Sequence, residues 1–330
     1  MKEQTHDFGD GNGPVPAHRH IKGGGWVANT AHVHNSAYIG PDALVYGNAR
    51  VSGDVLIYGN ARVYGNAWVS GNARVSGNAR VSGNAWVYGN ALIHDNAWVS
   101  GDAWVSGNAR VCGNARVYGN ARVDNAWVSG DARVYGNAWV YGNARVSGDA
   151  RASGDARVYG DARVHDNAWV YGNARVSDNA RVCGNALVYD NAWVYDNAWV
   201  YGNAWVYGNA WVYGSARVPG DARVSGDARV YGSARVYGGA RVYDNARFHG
   251  HAWVYGDARV MRGMYTSTPT SITRSDGHMF TLQSDGSIVA GCRDFTPDEA
   301  KAHWGNPEHH KHRESMAIVT ALNAIAAERQ

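Results

Sequence analysis

Over 330 residues, Gly (42), Tyr (20) and Trp (14) are abundant while Phe (4) and Met (5) are scarce, and the formal charge is only +3. That skew excludes an ordinary mixed core and points to a repeated unit, and the small charge gives no bulk electrostatic case for nucleic acid or an anionic membrane. No apolar run is long enough to span a bilayer, and the opening MKEQTHDFGDGNG lacks a signal-peptide apolar region, so a cytoplasmic protein is expected.

Residues 1–25, rich in Gly and bearing Pro14 and Pro16, read as a flexible or irregular N-terminal cover. From Val27 an aliphatic residue returns at every sixth position, through Val33, Ile39, Val45, Val51 and Ile57 to Val123. The interval from Val123 to Val128 is five, and the beat of six then resumes to Val260. One unit reads Val63-Tyr64-Gly65-Asn66-Ala67-Trp68.

Each slot of that unit has a physical reason. Val suits a pleated strand and alternates with large outward groups on either side, so Val and the Ala two residues earlier share the inner face. Gly followed by Asn or Asp interrupts every strand, because Gly takes positive φ freely and Asn and Asp tolerate it. A helix would lose about 1 kcal/mol or more per unit to that Gly and Asn, and period six fits no helical face. The missing residue between Val123 and Val128 must be absorbed at a corner, near Asp124-Asn125, because a loss within a strand would turn its inner face outward.

Val63-Tyr64-Gly65-Asn66-Ala67-Trp68 and Val69-Ser70-Gly71-Asn72-Ala73-Arg74 match, slot by slot, the aliphatic-x-x-x-small-x pattern, and the chain resembles the hexapeptide-repeat family. The resemblance implies an all-β solenoid over residues 26–260: a left-handed parallel β-helix of about thirteen triangular coils, with three hexapeptides to a coil. Gly23-Gly24-Gly25-Trp26-Val27-Ala28 and Gly291-Cys292-Arg293-Asp294-Phe295, with Thr296 through Ala300, further resemble phage and prophage proteins that join such an array to a short C-terminal module, which implies a virion component as the alternative to a cytoplasmic protein.

After Val260 the character changes, and residues 261–330 are expected to form a small α+β cap or docking module. Thr281-Leu282-Gln283 and Ser287-Ile288-Val289-Ala290 flank the turn Ser284-Asp285-Gly286, predicting a hairpin whose first strand takes in Met279-Phe280. Thr296-Pro297-Asp298-Glu299 opens a helix with Thr as cap, Pro in the first turn and Glu three after the cap. A second helix, from about Arg313 to Glu328, places Met316, Val319, Ala321, Leu322 and Ile325 on an apolar face.

The hexapeptide resemblance implies acyltransferase chemistry as one reading: a trimer, an acyl-CoA such as acetyl-CoA, and a His general base. The candidate bases are His94, His165 and His249, each one residue after an inward position, with His32, His34 and His251 behind them. Against this, no insertion interrupts the array between Val27 and Val260, and near-identical coils repeat the same groups instead of assembling unlike ones at one place. A structural or binding solenoid is therefore the leading expectation, with no cofactor and no metal site implied.

With eighteen residues to a coil, Trp68, Trp86 and Trp104 stack on one face while Arg62, Arg80 and Arg116 lie on another. Such rows either bind glycans or bases by stacking or simply stabilise the sheets. Corner Asp residues such as Asp149 and Asp155 offset the Arg charge and weaken a polyanion site. The array contains only Thr30, so an ice-binding Thr face is not expected. His303, His309, His310 and His312 read as a solvated linker between the two helices. Cys112, Cys183 and Cys292 are too few for a disulfide framework. The partners expected are a second copy through the C-terminal module, and a glycan or protein.

Overall fold

The computed structural model describes residues 4–291 and 293–328. The chain is a parallel β-solenoid of about thirteen turns with a small C-terminal helical and sheet region. It divides into two compact units, Met1–Asp178 and Asn179–Gln330. Cys292 lies outside the described residues.

In the first unit, two-residue strands fall on three sheets, and each pairs in parallel with strands one coil away. Arg62–Val63 lies beside Arg80–Val81, Trp68–Val69 beside Trp86–Val87, and Arg74–Val75 beside Leu92–Ile93. The aliphatic member of each strand and the preceding Ala point inward and are closed to solvent, as at Ala61, Val63, Ala67 and Val69. Where Val is replaced by Ala152 the slot stays buried. Val33 departs from the expected pattern and is only half-buried. Its strand begins its sheet, with Arg50–Val51 as partner on one side, whereas the equivalent first strand at Tyr38–Ile39 is covered by backbone bonds to Lys22 and Gly25.

The corners explain Gly and Asn. Gly65 has φ 72°, and a Cβ built there would stand 3.1 Å from the backbone N of Gly83 in the next coil. Asp95, Asp166, Asp178, Asp190, Asp196 and Asp244 occupy the same slot at positive φ. The neighbouring Asn residues form amide ladders, with Nδ2 donating to Oδ1 of the next coil. One runs Asn60, Asn78, Asn96, Asn114 and ends on Asp131, with links of 3.1, 3.0, 3.1 and 2.8 Å.

The five-residue interval is taken up where expected. Val123 and Val128 are both fully buried, and Asn125 stands at φ 57° in a corner without Gly. Its Oδ1 accepts from the backbone N–H of Asn108 at 2.9 Å, and Oδ1 of Asp124 accepts from the Ser106 hydroxyl at 2.8 Å. The partner of Arg110 is accordingly Trp127, seventeen residues on.

The N-terminal residues are more regular than expected. Thr5–Asp7 and Pro14–Arg19 pair antiparallel, and the latter strand pairs antiparallel with Trp26–Ala28. Phe8, buried and stacked on Tyr46 at 4.9 Å, anchors a small core with Ala17 and Ala28. Burial of these apolar groups outweighs the Gly-rich turns on either side.

The second unit has the same coil geometry: Trp205–Val206 lies beside Arg223–Val224, and Arg241–Val242 beside Arg259–Val260. The terminal region holds the expected hairpin, Met279–Leu282 with Ile288–Ala290. Two strands not anticipated, Ser271–Thr273 and Arg293–Phe295, complete a four-stranded antiparallel sheet. Helix α1 (Pro297–Trp304) starts on the expected capping box, with Thr296 and Glu299 bonded reciprocally. Helix α2 (His312–Glu328) buries Ser315, Ile318, Val319 and Leu322 against the sheet. Ala321, placed on the apolar face by sequence, is exposed; the buried positions recur at three and four residues, and 321 falls off that stripe. Among the described residues no helix is long and apolar enough to cross a membrane.

Candidate functional site

The residues before and after each inward Val form outward columns, and the predicted aromatic column exists. Trp68, Trp86 and Trp104 are register partners in successive coils, with ring centroids 5.0 and 5.2 Å apart. With Ser70 and Tyr88 they line a shallow groove of about 220 Å³. Arg122 continues the column, its guanidinium 5.0 Å from the Trp104 ring and 5.5 Å from the Trp139 ring. Trp104 thus has Trp86 on one face, at an interplanar angle of 3°, and a cation on the other. The residue is 37% exposed. Inserting a sugar or base between rings needs faces roughly 7 Å apart, twice an ordinary atomic contact distance; Trp86 and Trp104 are already stacked, and Trp68 is tilted 56° against Trp86 with the centroids 5.0 Å apart.

Arg62, Arg80 and Arg116 stand on the adjacent sheet as expected, with Trp98 between the last two. Tyr residues form further columns, such as Tyr141 on Tyr159 at 4.9 Å. In the second unit Tyr195, Tyr213, Tyr231 and His249 stack at 4.8, 4.8 and 5.0 Å.

The candidate histidines do not converge. His249 ends its tyrosine column, and its Nε2 is buried without a hydrogen-bond partner. His165 Nδ1 stands 3.2 Å from Asp166 Oδ2. His94 Nδ1 stands 3.1 Å from Asp95 Oδ2, and that carboxylate oxygen also accepts from the backbone N–H of Gly113 at 3.1 Å. The Gly113 bond, and then His94, hold the Asp95 carboxyl below its usual range. Cys112, one coil on, is half-buried; burial, and then the Asp95 charge, push its thiol up. His32 and His34 line an open hollow of about 600 Å³ with His18, Arg50 and Trp68 at the start of their sheet. His251 is exposed.

Sequence reasoning missed a polar cleft of about 240 Å³ where the last coils meet the terminal sheet. It is lined by Arg241, Arg259, Asp257 and His278, among others. Its sequence signal was the unbroken Arg slot at Arg223, Arg241 and Arg259. Arg259 donates to the Gly291 carbonyl, and burial, followed by Arg274, lowers the His278 pKa so that its neutral form is favoured. The terminal histidines are partly packed instead of forming a solvated linker: His303 stacks on Phe295 at 5.0 Å and meets His309 at 4.4 Å.

A family model described as YdcK beta solenoid repeat matches residues 57–71, 73–89, 109–125, 126–142, 138–154, 150–166, 156–172, 168–182, 180–196 and 222–238. No curated protein matches the chain. A solved structure of a candidate acetyltransferase from Desulfovibrio desulfuricans G20 aligns over 90% of this chain and 78% of that one, with 10% identity and a TM-score of 0.22. The chain is a β-solenoid repeat protein, with matches to the repeat model lying wholly within the array.

Proposed function

We propose that the chain is a structural scaffold whose repeated coils hold the module of residues 261–330 in a fixed pose, and that this module meets a second copy or a protein partner. The observation that carries this reading is the join between the two. The buried side chain of Gln283, on the module hairpin, bonds the backbone of Arg259 and Met261 and the hydroxyl of Tyr265. A module held through buried backbone groups has little freedom to swing independently. The two occupied faces of Trp104 support the same reading, since that ring packs between coils. The resemblance of residues 23–28 and 291–300 to phage and prophage proteins extends the proposal to a particle component.

Sedimentation velocity and light scattering of the full chain, beside a chain ending at Val260, provide the test. The full chain is expected to form one defined assembly and the shortened chain to lose it or aggregate through its bare strand edge. An unchanged assembly state would overturn the proposal. So would a saturable thermal shift with acetyl-CoA that disappears on changing His94, His165 or His249 to Ala, an outcome that would select the transferase reading.

A further inference from the structure

One corner of the first unit differs from its neighbours by bringing three unlike donors together. The slot after inward Ile93 holds His94, the positive-φ corner position holds Asp95 in place of Gly, and the slot after Val111 in the next coil holds Cys112. One ligand atom from each of His94, Asp95 and Cys112 lies within 4.8 Å of the others. A tetrahedral ion bound at roughly 2.0–2.3 Å holds its donors roughly 3.3–3.8 Å apart, so rotations moving side-chain ends by about an ångström close the set. The backbone N–H of Gly113, the residue after Cys112, bonds the Asp95 carboxylate at 3.1 Å and so ties it to the next coil. His94 is 38% exposed, which leaves the remaining coordination position to water.

A second, independent observation comes from the sequence. Within the array, His is followed by Asp only at His94-Asp95 and His165-Asp166. Its only cysteines, Cys112 and Cys183, stand eighteen residues after those two histidines. Tyr and Ser fill most of these slots elsewhere, so coil packing requires neither the thiol nor its spacing from His-Asp. Eighteen residues is the register of adjacent coils in this stretch, as between Leu92 and Arg110.

We propose that His94, Asp95 and Cys112 form a binding site for a borderline divalent transition-metal ion of the zinc type. Imidazole with thiolate selects such an ion over magnesium or calcium, which prefer all-oxygen shells. Three protein donors and one open position also resemble the coordination of reactive zinc centres more than that of closed structural ones. Binding would tie adjacent coils together through groups that otherwise face solvent.

Cobalt(II) titration of the full chain tests this, with Cys183 and Cys292 changed to Ser so that Cys112 is the remaining thiol. The expected result is a thiolate-to-cobalt charge-transfer band in the near ultraviolet that reaches a stoichiometric end point and is displaced by zinc(II). Cys112→Ser should abolish the band. His94→Ala should weaken binding by more than the roughly 10–100-fold typical of losing an outer partner. Ser129 occupies the same slot one coil on, so Cys112→Ser is compatible with the fold, and far-ultraviolet circular dichroism checks it. No band, or a band indifferent to both substitutions, would overturn the assignment.

Discussion

The side-chain Nε2 of Gln283 donates to the backbone carbonyl of Arg259 at 3.1 Å, while its Oε1 accepts from the N–H of Met261, also at 3.1 Å. One buried amide therefore satisfies both a carbonyl and an N–H in the last coil. Gln283→Leu keeps most of the volume but strands those groups, at a cost of roughly 1–3 kcal/mol for each left unpaired. The expected result is a lower melting temperature and faster hydrogen exchange at the Met261 amide. Unchanged exchange there would show that the module is not held by this side chain.

Val146 tests the interior. It is fully buried, with Arg145 exposed beside it. Val146→Asp would place an uncompensated charge in a dry space, and a loss of roughly 3–5 kcal/mol or more is expected. Thermal unfolding followed by circular dichroism measures it; a normal melt would contradict the inward register.

Arg122 distinguishes a stabilising column from a binding one. Its guanidinium faces both Trp104 and Trp139. Arg122→Ala should cost about 1–2 kcal/mol, from two contacts of about 0.5–1 kcal/mol each. If the column instead served glycans, Arg122→Ala would uncover ring faces and raise retention on a glycan array; no change in retention is expected.

Acid should act on the terminal module through named carboxylates. The Arg274 guanidinium, bonded to Asp276 at 2.9 and 2.7 Å, holds that carboxyl well below its ordinary value of 3.8. Bonds from the Ser275 hydroxyl and backbone lower Glu314, and those from Thr296 lower Glu299, below an ordinary 4.5. A lowered folded value means the unfolded chain takes up protons first as pH falls. The stabilisation is therefore complete above the unfolded values and lost as pH falls through the folded ones. Near-ultraviolet dichroism of Trp304, which packs in this module, should weaken below pH 4.5. Asp276→Asn should remove part of that dependence.

Much of the fold was legible because its cause is local and periodic. Val63, Ala67 and Val69 announce their burial through spacing alone, and the five-residue step at Asn125 had only one place to go. The capping box at Thr296 was legible for the same reason. What escaped notice depends on coil closure. Nothing in Asn60 or Asn78 taken singly reveals that their amides meet, and His94-Asp95 gains its third neighbour, Cys112, only when the chain returns to the same corner. The N-terminal hairpin was missed because Gly and Pro read as irregular backbone. There, Phe8 stacked on Tyr46 decides the outcome.

The amide ladders also set how this protein ages. Each Asn in the run from Asn60 to Asn114 receives at Oδ1, gives from Nδ2, or does both, whereas the terminal Asp131 only receives. Spontaneous deamidation of Asn96 would convert a relay into a terminus, leaving Asn114 Oδ1 without its donor and adding a negative charge to the corner. The chain already tolerates such a terminus at Asp131. Damage of this kind would therefore divide a ladder into shorter ones, each ending in a carboxylate, while the Val interior one layer beneath retained its packing.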